Sequence, residues 1–153
     1  MRKAVFPGTF DPFTIGHEAI VNRSLHLFDQ IIIAVGVNAS KQTMFTLDQR
    51  LEWINKIFEH NPKIAVHEFT GLTVDYCKTV GANYILRGLR SSADFNYERA
   101  IAQMNKALVP DVETIFIMSL PEHSAISSTI LRDIIRNQGN VDDFVPKQIS
   151  VNL

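Results

Sequence analysis

Four short segments of the sequence combine residue types that can grip phosphate. The first is Pro7-Gly8-Thr9-Phe10-Asp11-Pro12, followed by Thr14-Ile15-Gly16-His17. A glycine just past a strand lets backbone approach a phosphate closely, and a helix start adds oriented N–H groups and the positive end of a dipole. His17 then stands where an imidazole N–H can donate to a phosphoryl oxygen. The second is Lys41 in the stretch from Val37 to Phe45, a compact, mobile cation suited to neutralising phosphate charge. The third is Ile85-Leu86-Arg87-Gly88-Leu89-Arg90, where a guanidinium fork can read phosphate bidentately and the glycine permits close approach. The competing use of one of these arginines is an ion pair with Asp94 or Glu98 on the next helix. The fourth is Ile126-Ser127-Ser128-Thr129, whose hydroxyls and free N–H groups at a helix start serve both as an N-cap and as an anion site. Neither GxGxxG nor GxxxxGK[ST] is present, so neither a dinucleotide fingerprint nor a P-loop is indicated.

These segments need elements to hold them, and the hydrophobic pattern supplies an alternation of strands and helices. Strands are expected at Lys3 to Phe6, Ile31 to Val37, Ile64 to Val66, Tyr84 to Leu86 and Thr114 to Met118. Helices are expected at Gly16 to Phe28, with Ile20, Leu27 and Phe28 inward, and behind a Thr46–Gln49 capping box, with Leu47, Leu51, Ile54 and Phe58 as its apolar stripe and Asn61-Pro62 closing it. Leu72 to Val80, Ala93 to Leu108 and a segment capped by Ser127 and carrying Ile130, Leu131, Ile134 and Ile135 complete the set, with Gly139 as the last stop. The run Ile31 to Val37 is apolar on both faces, as a central parallel strand must be. The fold class expected is α/β, a single Rossmann-like doubly wound five-stranded parallel sheet with helices on both faces, spanning residues 1–153 as one domain. In such sheets ligands bind beyond the carboxyl ends of the strands, where the four segments fall.

Composition narrows the class further. A formal net charge of −1 gives no field to hold a polyanion, so nucleic acid is not an expected partner. The lone Cys77 excludes an intramolecular disulfide and a cysteine zinc site, and suits a reducing cytoplasm. No stretch approaches the length of an apolar membrane span, and the N-terminus lacks the apolar core of a signal peptide. Cys77, Trp53 and the phenylalanines read as packing, and Asp142-Asp143 as a solvated turn. His26, His60 and His67 have no partners at metal-ligand spacing.

Taken together in order and spacing, PGTFDPFTIGH, SKQTMFTLDQR, RGLRSSADFNYE, MNKALVP and ISSTILRD resemble the motifs of the phosphopantetheine adenylyltransferases, a family of the TxGH/HxGH nucleotidyltransferase superfamily. The resemblance runs through nearly the whole chain. It implies transfer of the adenylyl group of ATP to 4′-phosphopantetheine, giving dephospho-coenzyme A and pyrophosphate, with Mg²⁺ bound mainly through the ATP phosphates and no metal ligand from the chain. It also implies a homohexamer and feedback inhibition by coenzyme A. By motif match, Thr9, Lys41 and Arg87 would contact the phosphate of the acceptor, with Leu72 and Thr73 beside its pantetheine arm. Thr9, Phe10, His17, Gly88, Leu89, Arg90 and Glu98, together with His123, Ser124, Ala125, Ile126, Ser127, Ser128 and Thr129, would hold ATP. Thr73 stands where many relatives carry a larger aliphatic residue or Met.

The chemistry expected of such a site needs little acid or base. A phosphate monoester is largely dianionic at neutral pH and attacks without a protein base, so catalysis reduces to positioning and charge stabilisation. His17, Lys41 and Arg90 are the expected stabilisers, with Arg90 and the Ser127–Thr129 helix start holding the β- and γ-phosphates. Two other readings compete: the same chemistry on an acceptor such as nicotinamide mononucleotide or glycerol 3-phosphate, and a non-catalytic sensor of ATP or coenzyme A.

Overall fold

A computed structural model describes residues 1–151; Asn152 and Leu153, which the single-domain expectation takes in, lie outside the described residues. The chain runs β1 (Lys3–Gly8), α1 (Ile15–Ser24), β2 (Gln30–Gly36), α2 (Leu47–Phe58), β3 (Ile64–Phe69), α3 (Thr73–Val80), β4 (Tyr84–Leu89), α4 (Ser92–Leu108), β5 (Glu113–Met118) and α5 (Ser128–Arg136), with 3-10 turns at Pro121–His123 and Asp142–Phe144. The five strands form one parallel sheet in the order β3-β2-β1-β4-β5. This is the Rossmann-like α/β fold expected from the sequence.

Strand periodicity sorts the core into two layers. Ala4, Phe6, Ile31, Ile33, Val35 and Leu86 point to one face, where Ile20 and Val21 of α1, Ile54 and Phe58 of α2, and Leu131 and Ile135 of α5 cover them. Val5, Ile32, Ala34 and Ile85 point to the other, against Val74 and Cys77 of α3. Cys77 is wholly buried, and burial pushes its thiol up to about 11, so it is packing. From β1 the chain winds one way through β2 and β3 and then the other way through β4 and β5. The switch point, and hence the crevice, lies between the carboxyl ends of β1 and β4.

Several boundaries differ from the sequence reading, each for a local reason. β1 and β4 run past their apolar cores: Pro7 and Gly8 stay in register with Ala34 and Val35, and Arg87, Gly88 and Leu89 with Phe116, Ile117 and Met118. The Arg87-Gly88 pair therefore belongs to the strand rather than to a loop after it. β3 likewise continues to Phe69. α1 stops at Ser24, whose hydroxyl donates to the Ile20 carbonyl at 2.7 Å. The tight turns that follow rotate Leu27 outward while Phe28 stays buried. Ile130 is half exposed, because on α5 it precedes the inward stripe set by Leu131 and Ile135. Gly139 does end α5, but Gln138, at φ 62°, takes the left-handed turn. Gly139 is needed because a Cβ there would sit 2.5 Å from Ile134 Cγ2.

Candidate active site

β1 ends in a sharp reversal. Phe10, at φ 52°, turns the chain and buries its ring under Gly8, where a Cβ would stand 2.7 Å from Phe10 Cζ. Phe10 also packs on Phe6 and Phe13, with ring centroids 5.4 Å and 5.2 Å apart. Its ring is thus part of the core, and backbone is what the turn offers the crevice. Between Gly8 and Phe10, Thr9 Oγ1 accepts a hydrogen bond from Lys41 Nζ at 3.0 Å. Lys41 comes from the loop after β2, so the ends of two adjacent strands meet at one hydroxyl.

Helix α1 starts with a capping box that the sequence reading missed. The Thr14 side chain accepts from the His17 backbone N–H at 3.2 Å, and the Thr14 backbone N–H donates to His17 Nδ1 at 3.0 Å. An N–H donor aimed at Nδ1 requires a lone pair there, so the imidazole is neutral with its proton on Nε2. Electrostatics agree. Burial among Phe6, Phe10 and Phe13, and then the charges of Arg87 and Arg90, hold the imidazole down to about 3. His17 is a neutral N–H donor at physiological pH, not a cation.

Arg87 of β4 and Arg90 just beyond its end both use the helix that follows. Arg87 grips Glu98 with Nε at 2.9 Å and Nη2 at 2.5 Å, and gives a third hydrogen bond from Nη1 to the Pro7 carbonyl at 2.8 Å. Arg90 lies 3.5 Å from Asp94, whose carboxylate also takes the Arg90 backbone N–H at 3.0 Å, and its Nη1 reaches the Ile126 carbonyl at 3.5 Å. Arg90 so links the end of β4 to the start of α5. There Ser127 caps the helix through the Ile130 N–H, and Ser128 Oγ donates to the Pro12 carbonyl at 2.8 Å.

Three charged residues without a role in the sequence reading hold this assembly together. The buried Asp11 accepts the backbone N–H groups of Met44 and Phe45, both at 2.9 Å, which fixes the far end of the Lys41 loop. The equally buried Arg50 donates to the Thr9 carbonyl at 2.7 Å and the Phe45 carbonyl at 3.2 Å. Arg132, from α5, donates to the Asp11 carbonyl at 2.8 Å and to Thr129 Oγ1 at 3.3 Å. Arg50 had a readable signal: it falls on the inward stripe of α2 between Leu47 and Ile54, a position an arginine takes only with buried partners.

The resulting cavity, about 570 Å³, is lined by Thr9, Phe10, His17, Lys41, Arg87, Gly88, Arg90, Glu98, His123 and Ile126 to Thr129 of the residues expected from sequence, and by Arg132 in addition. Leu89 is buried away from it, Ser124 Oγ is turned back to the Pro121 carbonyl, and Ala125 is not among the lining residues. His123 Nδ1 is buried with no hydrogen-bond partner, the one such side-chain atom among the described residues. A second cavity of about 390 Å³ shares Gly8, Thr9, Arg87 and Glu98 with the first and continues past Gly36, Phe69, Thr73, Ile101 and Asn105. Thr73 therefore lines the second cavity, and the half-exposed Leu72 lines neither. Cations and N–H donors dominate the larger cavity. Its carboxylates, Asp11, Asp94 and Glu98, are all engaged by N–H groups of the chain. Among the described residues no cluster of three or more His, Cys, Asp or Glu could ligate a metal.

The chain is similar to a known group of proteins. The cytidylyltransferase-like family matches residues 5–134. The phosphopantetheine adenylyltransferase of Flavobacterium psychrophilum is 51% identical over 151 residues, 99% of each chain. Those of Bacteroides thetaiotaomicron and Leptospira biflexa are 43% identical over 152 residues and 49% over 143, covering 99% and 94% of this chain and 100% and 89% of theirs. Among solved structures, a bifunctional NMN adenylyltransferase/ADP ribose pyrophosphatase from Francisella tularensis superposes with a TM-score of 0.70 at 16% identity, over 94% of this chain and 44% of that one. At that identity the likeness speaks for the fold.

Proposed function

Because the chain belongs to the phosphopantetheine adenylyltransferases, and is thereby a nucleotidyltransferase, we propose that it transfers the adenylyl group of ATP to 4′-phosphopantetheine, giving dephospho-coenzyme A and pyrophosphate. The observation that carries this reading is the composition of the crevice: a neutral imidazole donor, Lys41, Arg90, Arg132 and the start of α5 converge there, and no carboxylate is left free. Such a site suits two phosphate esters meeting, and it has no general base because a dianionic phosphate needs none.

ATP takes the larger cavity, its triphosphate toward Arg90, Arg132 and the Ser127–Thr129 helix start, and its base end toward the unpartnered His123 nitrogen. The pantetheine arm takes the second cavity, past Phe69, Thr73, Ile101 and Asn105. The two cavities join at Thr9 and Arg87, so the acceptor phosphate and the α-phosphate face each other there. An acceptor oxygen forms a bond to the α-phosphorus while the bond from that phosphorus to the α–β bridging oxygen breaks, and the electron pair leaves with pyrophosphate. His17 donates its Nε2–H to an α-phosphate oxygen as negative charge builds, Lys41 spans the two phosphates, and Arg90 takes charge on the leaving group.

Mg²⁺ fits this donor set as an ion carried by the triphosphate, since the cavity's carboxylates are occupied by N–H groups. When bound it neutralises phosphate charge. A homohexamer is supported by α4, the longest helix, which buries none of its residues and leaves Tyr97, Met104 and Leu108 more than half exposed. Coenzyme A inhibition follows from shared parts, since coenzyme A carries both the pantetheine arm and an adenylyl group. A cytoplasmic location accords with the lone buried cysteine, and no helix among the described residues is long and apolar enough to cross a membrane.

Pyrophosphate release on mixing the protein with ATP, Mg²⁺ and 4′-phosphopantetheine tests the proposal, with nicotinamide mononucleotide and glycerol 3-phosphate in parallel. Release with phosphopantetheine alone is the expected result. Release with another acceptor keeps the chemistry and replaces the substrate, and none from an ATP-binding protein favours a sensor.

A further inference from the structure

The Lys41 loop gets little support from packing. Residues 37–42 are all exposed, and a cavity of about 430 Å³ borders the loop, lined by Lys41, Thr43, Leu47 and Arg50 among others. Hydrogen bonds hold it instead. At its far end the Phe45 carbonyl accepts from Thr43 Oγ1 at 2.7 Å and from Arg50 Nε at 3.2 Å, while the Phe45 N–H goes to Asp11. Arg50 Nη1 donates to the Thr9 carbonyl at 2.7 Å, and Thr9 is the residue whose hydroxyl receives Lys41. One guanidinium therefore holds the backbone of Thr9 and the anchor of the loop that brings Lys41 to it. Arg50 is only 4% exposed and lines neither cavity assigned to a substrate. On a helix face shared with Ile54, Ile57 and Phe58, a buried charge is costly unless its hydrogen bonds do something an aliphatic side chain would not.

We propose that Arg50 is a positioning residue: by holding the Thr9 and Phe45 carbonyls on one planar fork it sets where the Lys41 ammonium stands against the Thr9 hydroxyl, and it touches neither substrate. What Lys41 then does for the reaction rests on the adenylyl-transfer reading of the site. The placement of Lys41 by Arg50 can be read without any turnover.

The test is Arg50→Lys, which keeps a positive charge near Asp11 but replaces the fork by a single ammonium. Acetylation of the folded protein by acetic anhydride, followed residue by residue with mass spectrometry, reports on Lys41 directly. Its labelling relative to the other lysines should rise about fivefold as the bond to the Thr9 hydroxyl is lost. In kinetics, kcat/KM for 4′-phosphopantetheine should fall on the order of 10- to 100-fold, the cost of a misplaced group. The Kd for ATP, measured by calorimetry without acceptor, should stay within about twofold, because Arg90 and the start of α5 are anchored by other hydrogen bonds. In a Lys41→Ala background Arg50→Lys should add less than about threefold, since its effect passes through Lys41. Arg50→Gln, which can donate to one carbonyl only, gives the same comparison if the lysine variant does not fold. A folded variant whose Lys41 labelling is unchanged would overturn the proposal. So would ATP affinity that falls as far as the acceptor term, which is what a purely structural arginine predicts, or effects of Arg50 and Lys41 substitutions that multiply. Wild-type protein that does not turn over phosphopantetheine would count against the acceptor, while the labelling still decides the role of Arg50.

Discussion

The backbone N–H of Thr14 points at Nδ1 of His17 from 3.0 Å, and this single hydrogen bond decides which face of the imidazole can do chemistry. With Nδ1 spent as an acceptor, the proton is on Nε2. Side-chain NMR should therefore show His17 as the Nε2–H tautomer, with no titration between pH 5 and 8, since its protonation lies near 3. The sign for stability follows. Between about 6.5, where an unfolded histidine titrates, and about 3, the unfolded chain binds a proton that the folded chain does not. Stability should fall as pH drops through that window, and the fall should be shallower in His17→Gln.

Replacing His17 by Ala removes the donor that the proposed mechanism gives to the reacting phosphate. Turnover should drop by on the order of 10² to 10³ with a much smaller change in the Kd for ATP. Steady-state kinetics beside calorimetric nucleotide binding would check both, and near-normal turnover would remove His17 from the mechanism.

Lys41→Ala should lower turnover and raise the acceptor KM together, because the ammonium lies in the larger cavity 3.0 Å from Oγ1 of Thr9, a residue that lines both cavities. Lys41→Arg should restore charge but only part of the rate, since a planar fork cannot replace a compact ammonium on the Thr9 hydroxyl. Full recovery with arginine would mean that charge alone is required.

Asp11→Ala should be costly for folding before it is costly for catalysis. It strips two buried backbone N–H groups of Met44 and Phe45 of their acceptor and leaves the nearby Arg132 without its partner charge. A loss of about 3 kcal/mol is expected by chemical denaturation. A loss below about 1 kcal/mol would show that water replaces the carboxylate.

Gly8→Ala should disturb the site through the core. The added methyl would meet the Phe10 ring at 2.7 Å, and that ring is boxed in by Phe6 and Phe13. A destabilisation of about 1–3 kcal/mol is expected, with an acceptor KM raised because Thr9 follows directly in the turn.

The outline of this protein is readable because strands β2 and β5 and helices α2 and α5 carry strong local signals: β-branched runs, the Thr46 capping box and the Ser127 cap. The ends of β1 and β4 are less readable, since Pro7-Gly8 and Arg87-Gly88 have poor strand propensity and stay extended through ladder pairing with distant residues. At the site, residues that line the larger cavity, such as His17 and Arg90, stand out by type and position. Asp11 and Arg132 do not, because their partners are backbone groups 33 and 121 residues away, and no local pattern encodes such a partnership.

The last helix is stitched to the first turn of the chain: Ser128 to the Pro12 carbonyl across 116 residues and Arg132 to the Asp11 carbonyl across 121. Contacts so distant in sequence carry a large loop-closure cost, and the larger cavity is complete only once they have formed. During synthesis the sheet can assemble from β1 through β5 while the wall formed by α5 is still missing. A nascent or prematurely ended chain would hold the strands and lack one wall of the larger cavity, so the proposed ATP chemistry would wait for α5.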